Sequence, residues 1–409
     1  MKKVAFSLLI CFVMVTFFAH ILYAELPVKK FFPPDSKSKL YTPGVLVGKT
    51  FYVSGHGSAL PGGGQLETFP EQAGQCLRNI RRILQLAGLD MEHVVKAWVM
   101  LDDLENYQAM NGVFKEFFPS KSPARTTLGV KRIPGSNHIE ITVIAYTNPS
   151  ERKVVGTPNP NLPFSPGILA GNTLYISGKG DHLPGGGHPA TFEEQVRQSL
   201  KNVGTVLSQA GLDYRHVVWS NMYLDNYDNL GIANNVYSEF FESGKEPASS
   251  TVFVDELPGD SHIEITCIAT TDLSSRKIVR PPGMKYGHDE RAPSTSPGVW
   301  AGNTLYLSAQ TGYTPEDGQG TINLEKQVRQ MMQNHFAVLY EAGLGFKDIV
   351  SGNVFLRNID DYSPMNEIYG QYFSTSFPGV RTCFQPFSGY ERNDVRLRAY
   401  FFAAKTENE

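Results

Sequence analysis

The same series of landmarks occurs three times along the chain, and this internal repeat limits the folds that the chain can adopt. In each copy a short strand follows a Gly-rich turn and ends at a Ser: Ser54, Ser177 and Ser308. The distance between copies is the length of a small domain. We therefore predict three tandem domains: residues 25–148 as repeat 1, 149–272 as repeat 2 and 273–409 as repeat 3.

Each repeat has the pattern of an α+β domain. A basic strand opens it, and after Gln72, Gln195 or Gln327 apolar residues recur every three or four positions, which predicts an amphipathic helix. In repeat 1 this helix should end at Gly88. A strand rich in β-formers and a second helix follow. We expect a mixed sheet with two helices on one face, and uncovered sheet faces that pack together as an intramolecular pseudo-trimer. Such a chain would be a monomer with pseudo-threefold symmetry.

A hairpin is predicted near the end of each repeat, with its turn at residues 133–137 in repeat 1. Its two arms would carry Arg125 and Glu140 opposite each other, or one two-residue step apart, on one sheet face. A cross-strand Arg and Glu can also be a plain ion pair.

The N-terminus has the features of a bacterial secretory signal. Lys2 and Lys3 precede an apolar run that ends at Ala24, so we predict residues 1–24 as a signal peptide and a secreted or periplasmic protein. An uncleaved membrane anchor is the alternative, because the run is almost long enough to span a bilayer. After cleavage no membrane association is expected.

The composition, with 41% hydrophobic and 19% charged residues, is that of a globular protein. A net charge of −3 gives no broad positive field, which disfavours nucleic acid as a partner. Cys76, Cys267 and Cys383 occupy non-equivalent places, and we expect buried or isolated thiols without structural disulfides.

These landmarks resemble the RidA (YjgF) family of enamine and imine deaminases. The most specific match is residues 123–127, with Arg125, followed by residues 138–141, with Glu140. The resemblance implies three RidA-like, chorismate-mutase-like domains, with pockets between domains. It also implies hydrolysis of 2-aminoacrylate-type enamines and imines to 2-keto acids and ammonia, without metal or organic cofactor.

The resemblance also implies roles for particular residues. Arg125 would bind the carboxylate of a small imino or keto acid, because its planar fork suits bidentate pairing. Glu140 would handle the water and the proton. Tyr41, Ser54 and Asn111 match further substrate-binding positions. Ser54 could equally be a strand-end hydroxyl bonded to backbone, and Tyr41 a half-buried ring.

The other two repeats depart from this pattern. In repeat 2 Ser249 stands at the Arg position and Phe164 at the Tyr position, although Ser177, Asn234 and Glu264 remain. Repeat 3 keeps a substrate-binding Arg381 together with Ser308 and Asn366, but equal spacing puts Arg396 at the Glu position and Thr295 at the Tyr position. We therefore predict that repeat 1 carries the intact site.

Two further signals are weak. His138 with Glu140, and His262 with Glu264, offer only two ligands each, so no metal is expected. The glycine runs at 62–64 and 185–187 read as hairpin loops. The alternative to an imine deaminase is a non-catalytic carboxylate-binding or scaffold protein, since two repeats are altered and such imines arise in the cytoplasm. An endoribonuclease is disfavoured by the charge.

Overall fold

A computed structural model describes residues 26–33, 40–64, 66–284, 295–314, 320–373, 378–389 and 395–407. The predicted signal peptide, residues 1–24, lies outside them. Within the described part of the chain, no helix is both long and apolar enough to cross a membrane.

Every repeat forms one sheet with two α-helices. Repeat 1 contains β1 (Lys29–Phe32), β2 (Gly44–Val47), β3 (Thr50–His56), α1 (Phe69–Leu86), β4 (Val94–Leu101), α2 (Tyr107–Phe117), β5 (Ala124–Gly129) and β6 (Ile139–Tyr146). Repeat 2 contains β7 (Arg152–Val155), β8 (Gly167–Ala170), β9 (Thr173–Ile176), β10 (Lys179–Gly180), α3 (Phe192–Gln209), β11 (Val217–Leu224), α4 (Leu230–Ser238), β12 (Ala248–Phe253) and β13 (Ile263–Thr270). Repeat 3 contains β14 (Lys277–Val279), β15 (Gly298–Ala301), β16 (Thr304–Leu307), β17 (Gln310–Thr311), α5 (Leu324–Glu341), β18 (Ile349–Leu356), α6 (Tyr362–Tyr369), β19 (Val380–Phe384) and β20 (Leu397–Ala404).

The three sheets share one topology. The strand order in repeat 1 is β1-β2-β3-β6-β4-β5, and the equivalent strands of repeats 2 and 3 follow the same order. The pair β4–β5 is parallel, as are β11–β12 and β18–β19, whereas the other pairs are antiparallel. The predicted mixed sheets with helices are therefore confirmed.

Local sequence explains the position of α1. The backbone N–H of Thr68 donates to Glu71 Oε2 at 3.2 Å, which satisfies a free donor at the start of the helix. At its end Gly88 takes the left-handed conformation, with φ of +73°, as predicted. The apolar stripe of α1 packs in the core between helices and sheet.

The predicted terminal hairpin is wrong. Strand β4 lies between β5 and β6, pairing Ala97 with Arg125 and Met100 with Glu140. Every residue of β6 is buried, as is typical of a central strand with a neighbour on each side. In this sheet β6 lies between β3 and β4. Strand β5 is left at the edge of the sheet, where it faces the next repeat.

The same backbone contact joins each repeat to the next. The N–H of Arg125 donates to Ser177 Oγ at 2.8 Å, and the N–H of Ser249 donates to Ser308 Oγ at 2.8 Å. The N–H of Arg381 donates to Ser54 Oγ at 3.0 Å. Each repeat thus contacts both others, through its edge strand and through the equivalent serine of its first sheet hairpin.

The inner faces of the three sheets share one core. The rings of Trp98 and Trp219 lie 6.4 Å apart, and those of Trp219 and Tyr400 lie 4.9 Å apart, so side chains of all three repeats meet there. Burial of this aromatic surface holds the repeats together. Cys76, Cys267 and Cys383 are buried free thiols, as predicted.

Candidate functional site

The junction between repeats 3 and 1 forms the first candidate site, which we call the 3/1 cleft. Arg381, on β19, is 4% exposed. Its Nη1 donates to Asn366 Oδ1 at 2.7 Å and its Nη2 to the Tyr362 hydroxyl at 3.3 Å, both from helix α6. The guanidinium lies 5.0 Å from the Tyr369 ring centre and 5.8 Å from that of Tyr41. These contacts fix a cation in one orientation.

Glu140 of repeat 1 completes the 3/1 cleft. Burial raises the pKa of this carboxyl to about 8, although the Arg381 guanidinium and the backbone N–H of Cys383 act in the opposite direction. Its side chain rests on Gly55, where a Cβ would come within 2.0 Å of Oε1. A residue with any side chain at position 55 would therefore displace the carboxylate.

Tyr41 and Ser54, two more of the predicted residues of repeat 1, differ in their surroundings. Burial raises the pKa of Tyr41, and Tyr362, Arg381 and Glu140 also act on it, so its hydroxyl belongs to the same cleft. Ser54 is fully buried, and its hydroxyl donates to the Thr42 carbonyl at 2.7 Å while accepting from Arg381. This favours the backbone-bonded interpretation of Ser54, with the hydroxyl positioning the strand that carries the arginine.

The junction between repeats 1 and 2 repeats this arrangement, and we call it the 1/2 cleft. Arg125 Nη2 donates to Asn111 Oδ1 at 2.6 Å and to the Tyr107 hydroxyl at 3.3 Å. Its guanidinium lies 4.9 Å from the Phe114 ring centre and 4.7 Å from that of Phe164. Asn111, predicted to bind substrate, thus orients the arginine. Phe164 takes the place of Tyr41 and supplies no hydroxyl.

The acid of the 1/2 cleft is Glu264 of repeat 2. The cleft has a volume of about 700 Å³, and Arg125, Glu264 and Lys179 are among its lining residues. Burial raises the pKa of Glu264 to about 7, opposed by Lys96, Lys179 and Arg125. The carboxylate packs on Gly178 as Glu140 packs on Gly55. Both acids therefore titrate near neutral pH.

The junction between repeats 2 and 3 lacks both groups. Ser249 replaces the arginine, and its hydroxyl donates to Thr295 Oγ1 at 2.8 Å. The side-chain amide of Asn234, equivalent to Asn111, is buried and has no hydrogen-bond partner within the described ranges, since Ser249 offers no guanidinium for it to accept from. Ala309 stands where the acids of the other clefts rest on glycine.

The residue at the Glu position of repeat 3 is Arg398, so the prediction of Arg396 is wrong. Arg398 pairs with Phe355 in the sheet as Glu140 pairs with Met100. The connection before β20 is two residues longer than in the other repeats, and equal spacing therefore pointed to Arg396. Arg398 donates to the Thr251 carbonyl of repeat 2, and Arg396 binds Asp361 instead.

Arg125 and Glu140 do not share a site, contrary to the prediction for repeat 1. Arg125 lines the 1/2 cleft with Glu264, whereas Glu140 lies with Arg381 in the 3/1 cleft. The reason is that β5 and β6 are separated by β4, and each arginine sits at a sheet edge that faces the next repeat. Repeat 1 thus contributes one functional group to each of two clefts.

The histidines next to the acids do not join them. His138 Nδ1 lies 2.8 Å from Asp102 Oδ2 and the His138 side chain is 55% exposed, whereas Glu140 is buried. A different group can hold a metal: the ligand atoms of Asp181, His182 and His188 all lie within 4.8 Å of one another.

Lys96 is a charged residue that sequence reasoning missed. It is fully buried and donates to Thr126 Oγ1, Thr266 Oγ1 and the Ile176 carbonyl at 2.8 to 2.9 Å. Burial lowers its pKa to about 7, with Glu264 acting in the opposite direction. A single lysine within the apolar run 94–101 was the available signal. Lys96 supports the ionised form of Glu264.

Comparison with known proteins agrees with the repeats. The family described as Endoribonuclease L-PSP matches residues 35–147, 156–271 and 290–386. The 2-iminobutanoate/2-iminopropanoate deaminase of Capra hircus is 41% identical over 111 residues, 27% of this chain and 81% of the relative. The Homo sapiens protein of that name is 38% identical over 111 residues, with the same two coverages.

A solved structure extends the similarity across the repeats. The crystal structure of a chorismatase aligns with a TM-score of 0.56 at 12% identity, covering 76% of this chain and 93% of that one. At that identity the likeness shows the fold alone. The three family matches span most of the sequence, and the chain belongs to the Endoribonuclease L-PSP family, the RidA family that its motifs resemble, as three tandem domains.

Proposed function

We propose that this protein hydrolyses 2-aminoacrylate-type enamines and imines to 2-keto acids and ammonia, at clefts between its repeats. The observation that carries the proposal is a buried arginine next to a buried glutamate whose pKa is raised to about 7 or 8. This pair occurs twice, and each time its two residues come from different repeats. The relatives named as 2-iminobutanoate/2-iminopropanoate deaminases match a single domain each, and they support the same chemistry here.

The arginine selects an acid as substrate. Arg381 has its guanidinium oriented by Asn366 and Tyr362, and a carboxylate can pair with its free edge in bidentate geometry. In the 1/2 cleft Asn111 and Tyr107 orient Arg125 in the same way.

The glutamate moves the proton and the water. In the protonated form, which a pKa of about 8 makes abundant at neutral pH, Glu140 can donate to the methylene carbon of the enamine and give the imine. The resulting carboxylate then accepts a proton from water as its oxygen adds to the imine carbon. That proton then passes to nitrogen, and the Glu140 carboxylate takes the proton of the new hydroxyl group. The C=O bond forms as the C–N bond breaks, which releases ammonia, leaves the 2-keto acid and restores the protonated Glu140.

The clefts are not equivalent. The 3/1 cleft holds Arg381, Glu140 and Tyr41, and it retains every group that the family resemblance implies. The 1/2 cleft lacks the tyrosine hydroxyl and instead has Lys96 and Lys179 acting on its acid. We assign most turnover to the 3/1 cleft, some to the 1/2 cleft and none to the 2/3 junction.

A second candidate is a carboxylate-binding protein without turnover. The altered 2/3 junction favours it, since Ser249 and Arg398 stand there in place of the arginine and the glutamate. Export also separates the protein from cytoplasmic sources of imines. In either case we propose a single-chain monomer that closes on itself and is secreted or periplasmic.

The two candidates differ in one assay. Imine is generated from alanine by an amino-acid oxidase, and its loss is followed by trapping with semicarbazide. The deaminase should accelerate the loss, and the variant with Arg125→Ala and Arg381→Ala should not. A protein that binds pyruvate by calorimetry but leaves the rate of imine loss unchanged would be the binding protein.

A further inference from the structure

One loop of repeat 2 gathers three metal-binding side chains at the rim of the 1/2 cleft. Asp181, His182 and His188 flank the glycine run, and their ligand atoms lie within 4.8 Å of one another. His188 Nδ1 is 3.1 Å from Asp181 Oδ2, and the two imidazole rings are 4.5 Å apart. Two imidazoles and a carboxylate form a ligand set typical of zinc and of neighbouring first-row metals.

The carboxylate is the second observation that indicates a cation. Asp181 is fully buried, and among the residues that the structure describes neither of its carboxylate oxygens has a hydrogen-bond partner. The 3.1 Å approach of His188 Nδ1 to Asp181 Oδ2 lacks the direction of a hydrogen bond. A buried carboxylate without partners is costly unless a cation neutralises it.

Repeat 1 contains the same loop without the ligands. The turn has the same backbone bonds, from the Gly63 N–H to the Leu60 carbonyl at 2.9 Å and from the Gly186 N–H to the Leu183 carbonyl at 3.0 Å. By sequence, the equivalents of the three ligands in repeat 1 are Ser58, Ala59 and Gln65. The turn therefore does not require Asp or His.

The buried position also differs between the two loops. In repeat 1 Ser58 takes the place of Asp181, and its polar groups have hydrogen-bond partners. Its backbone N–H donates to Asn137 Oδ1 at 2.8 Å, and its hydroxyl is 3.2 Å from the same oxygen. In repeat 2 the residue facing the loop is Ser261, whose Oγ lies 3.3 Å from His182 Nδ1. Asp181 has no such amide or hydroxyl partner in the part of the chain that the structure describes. Where repeat 1 has the neutral Ser58, repeat 2 thus has a carboxylate, Asp181, with two histidines beside it.

We propose that Asp181, His182 and His188 bind one divalent first-row metal ion, of which Zn²⁺ is the representative. Tetrahedral zinc with bonds of roughly 2.0–2.1 Å holds its ligand atoms about 3.3 Å apart, so a small movement of the exposed His182 completes the site. Three protein ligands leave a fourth position for water or an anion. His182 also lines the 1/2 cleft, as Arg125 does, so the site lies at the edge of that cleft.

The site is tested by zinc binding to the full mature chain, measured by equilibrium dialysis with elemental analysis. Wild-type protein should bind one Zn²⁺ per chain. The triple variant Asp181→Ser, His182→Ala and His188→Gln copies the loop of repeat 1 and is expected to fold, and its zinc affinity should fall by about 100-fold or more. His138→Gln is the matched control, because this histidine pairs with an aspartate elsewhere, and it should bind as wild type does.

Four results would overturn the proposal. The first is wild-type protein that binds no zinc. The second is a triple variant, shown to be folded by circular dichroism, that binds as tightly as wild type. The third is loss of binding on His262→Gln alone, which would place the ion at the nearby His262–Asp225 pair. The fourth is binding of Ca²⁺ in preference to Zn²⁺, which would exclude this class of metal. None of these results bears on the deaminase assay.

Discussion

Paired substitutions can show whether the reactive sites lie between repeats. Arg381→Ala with Glu140→Gln removes both groups from the 3/1 cleft and leaves the 1/2 cleft untouched. Arg381→Ala with Glu264→Gln removes the arginine from the 3/1 cleft and the acid from the 1/2 cleft. The first double variant should keep all the turnover that the 1/2 cleft supplies, and the second should keep almost none.

The size of each loss follows from the groups removed. Arg381 is 4% exposed, so its alanine variant loses a desolvated, charge-assisted carboxylate pair worth about 1.5–3 kcal/mol. This is about a 10- to 150-fold fall in kcat/KM at that cleft. A Glu→Gln change should lower kcat at its cleft by about 100-fold. Because turnover by the two clefts adds, the variant damaged in both should retain at most about a tenth of wild-type activity.

The assay is loss of oxidase-generated 2-iminopropionate, with thermal unfolding as the control for folding. A third variant, Arg125→Ala with Glu140→Gln, separates the alternatives. If sites lie between repeats, this variant damages both clefts and is nearly inactive. If Arg125→Ala/Glu140→Gln kept the activity of Arg125→Ala alone, while Arg381→Ala/Glu140→Gln lost all activity, each repeat would carry its own site and our reasoning would be refuted.

Three further outcomes are expected. Sedimentation should give a monomer, because the serine contacts join each repeat to both others, and an obligate trimer of the chain would contradict this. Mass spectrometry of native protein should find Glu25 as the first residue, and intact Met1 in a soluble cytoplasmic fraction would contradict export. The raised pKa of Glu140 means that the folded state binds more protons than the unfolded state between the ordinary carboxyl value of 4.5 and about 8. Stability should therefore fall across this range by up to a few kcal/mol. Urea unfolding of Glu140→Gln should show a smaller fall than wild type, and equal pH profiles would exclude a raised pKa.

The local structure was predictable because it depends on local patterns. The apolar stripe of α1 and its end at Gly88 follow from residue spacing and from the conformational freedom of glycine. The strand at 94–101 follows from its β-formers. Each of these features is determined by residues that are close in sequence.

The site was less predictable because it depends on contacts between repeats. Nothing near Arg125 in the sequence indicates that Glu264, rather than Glu140, is the acid of its cleft. The order of strands in the sheet decides this, and a parallel edge strand cannot be told from a hairpin arm by composition. Arg398 was missed because a two-residue difference in loop length shifts every count made from Arg381.

The central claim is that substrate binds between repeats at two of the three junctions, and a crystal structure with pyruvate tests it most directly. The account predicts a carboxylate on the guanidinium of Arg381 with the keto carbon facing Glu140, a second molecule on Arg125 facing Glu264, and none beside Ser249. Pyruvate bound within a single repeat, or absent from both arginines at saturating concentration, would contradict the account.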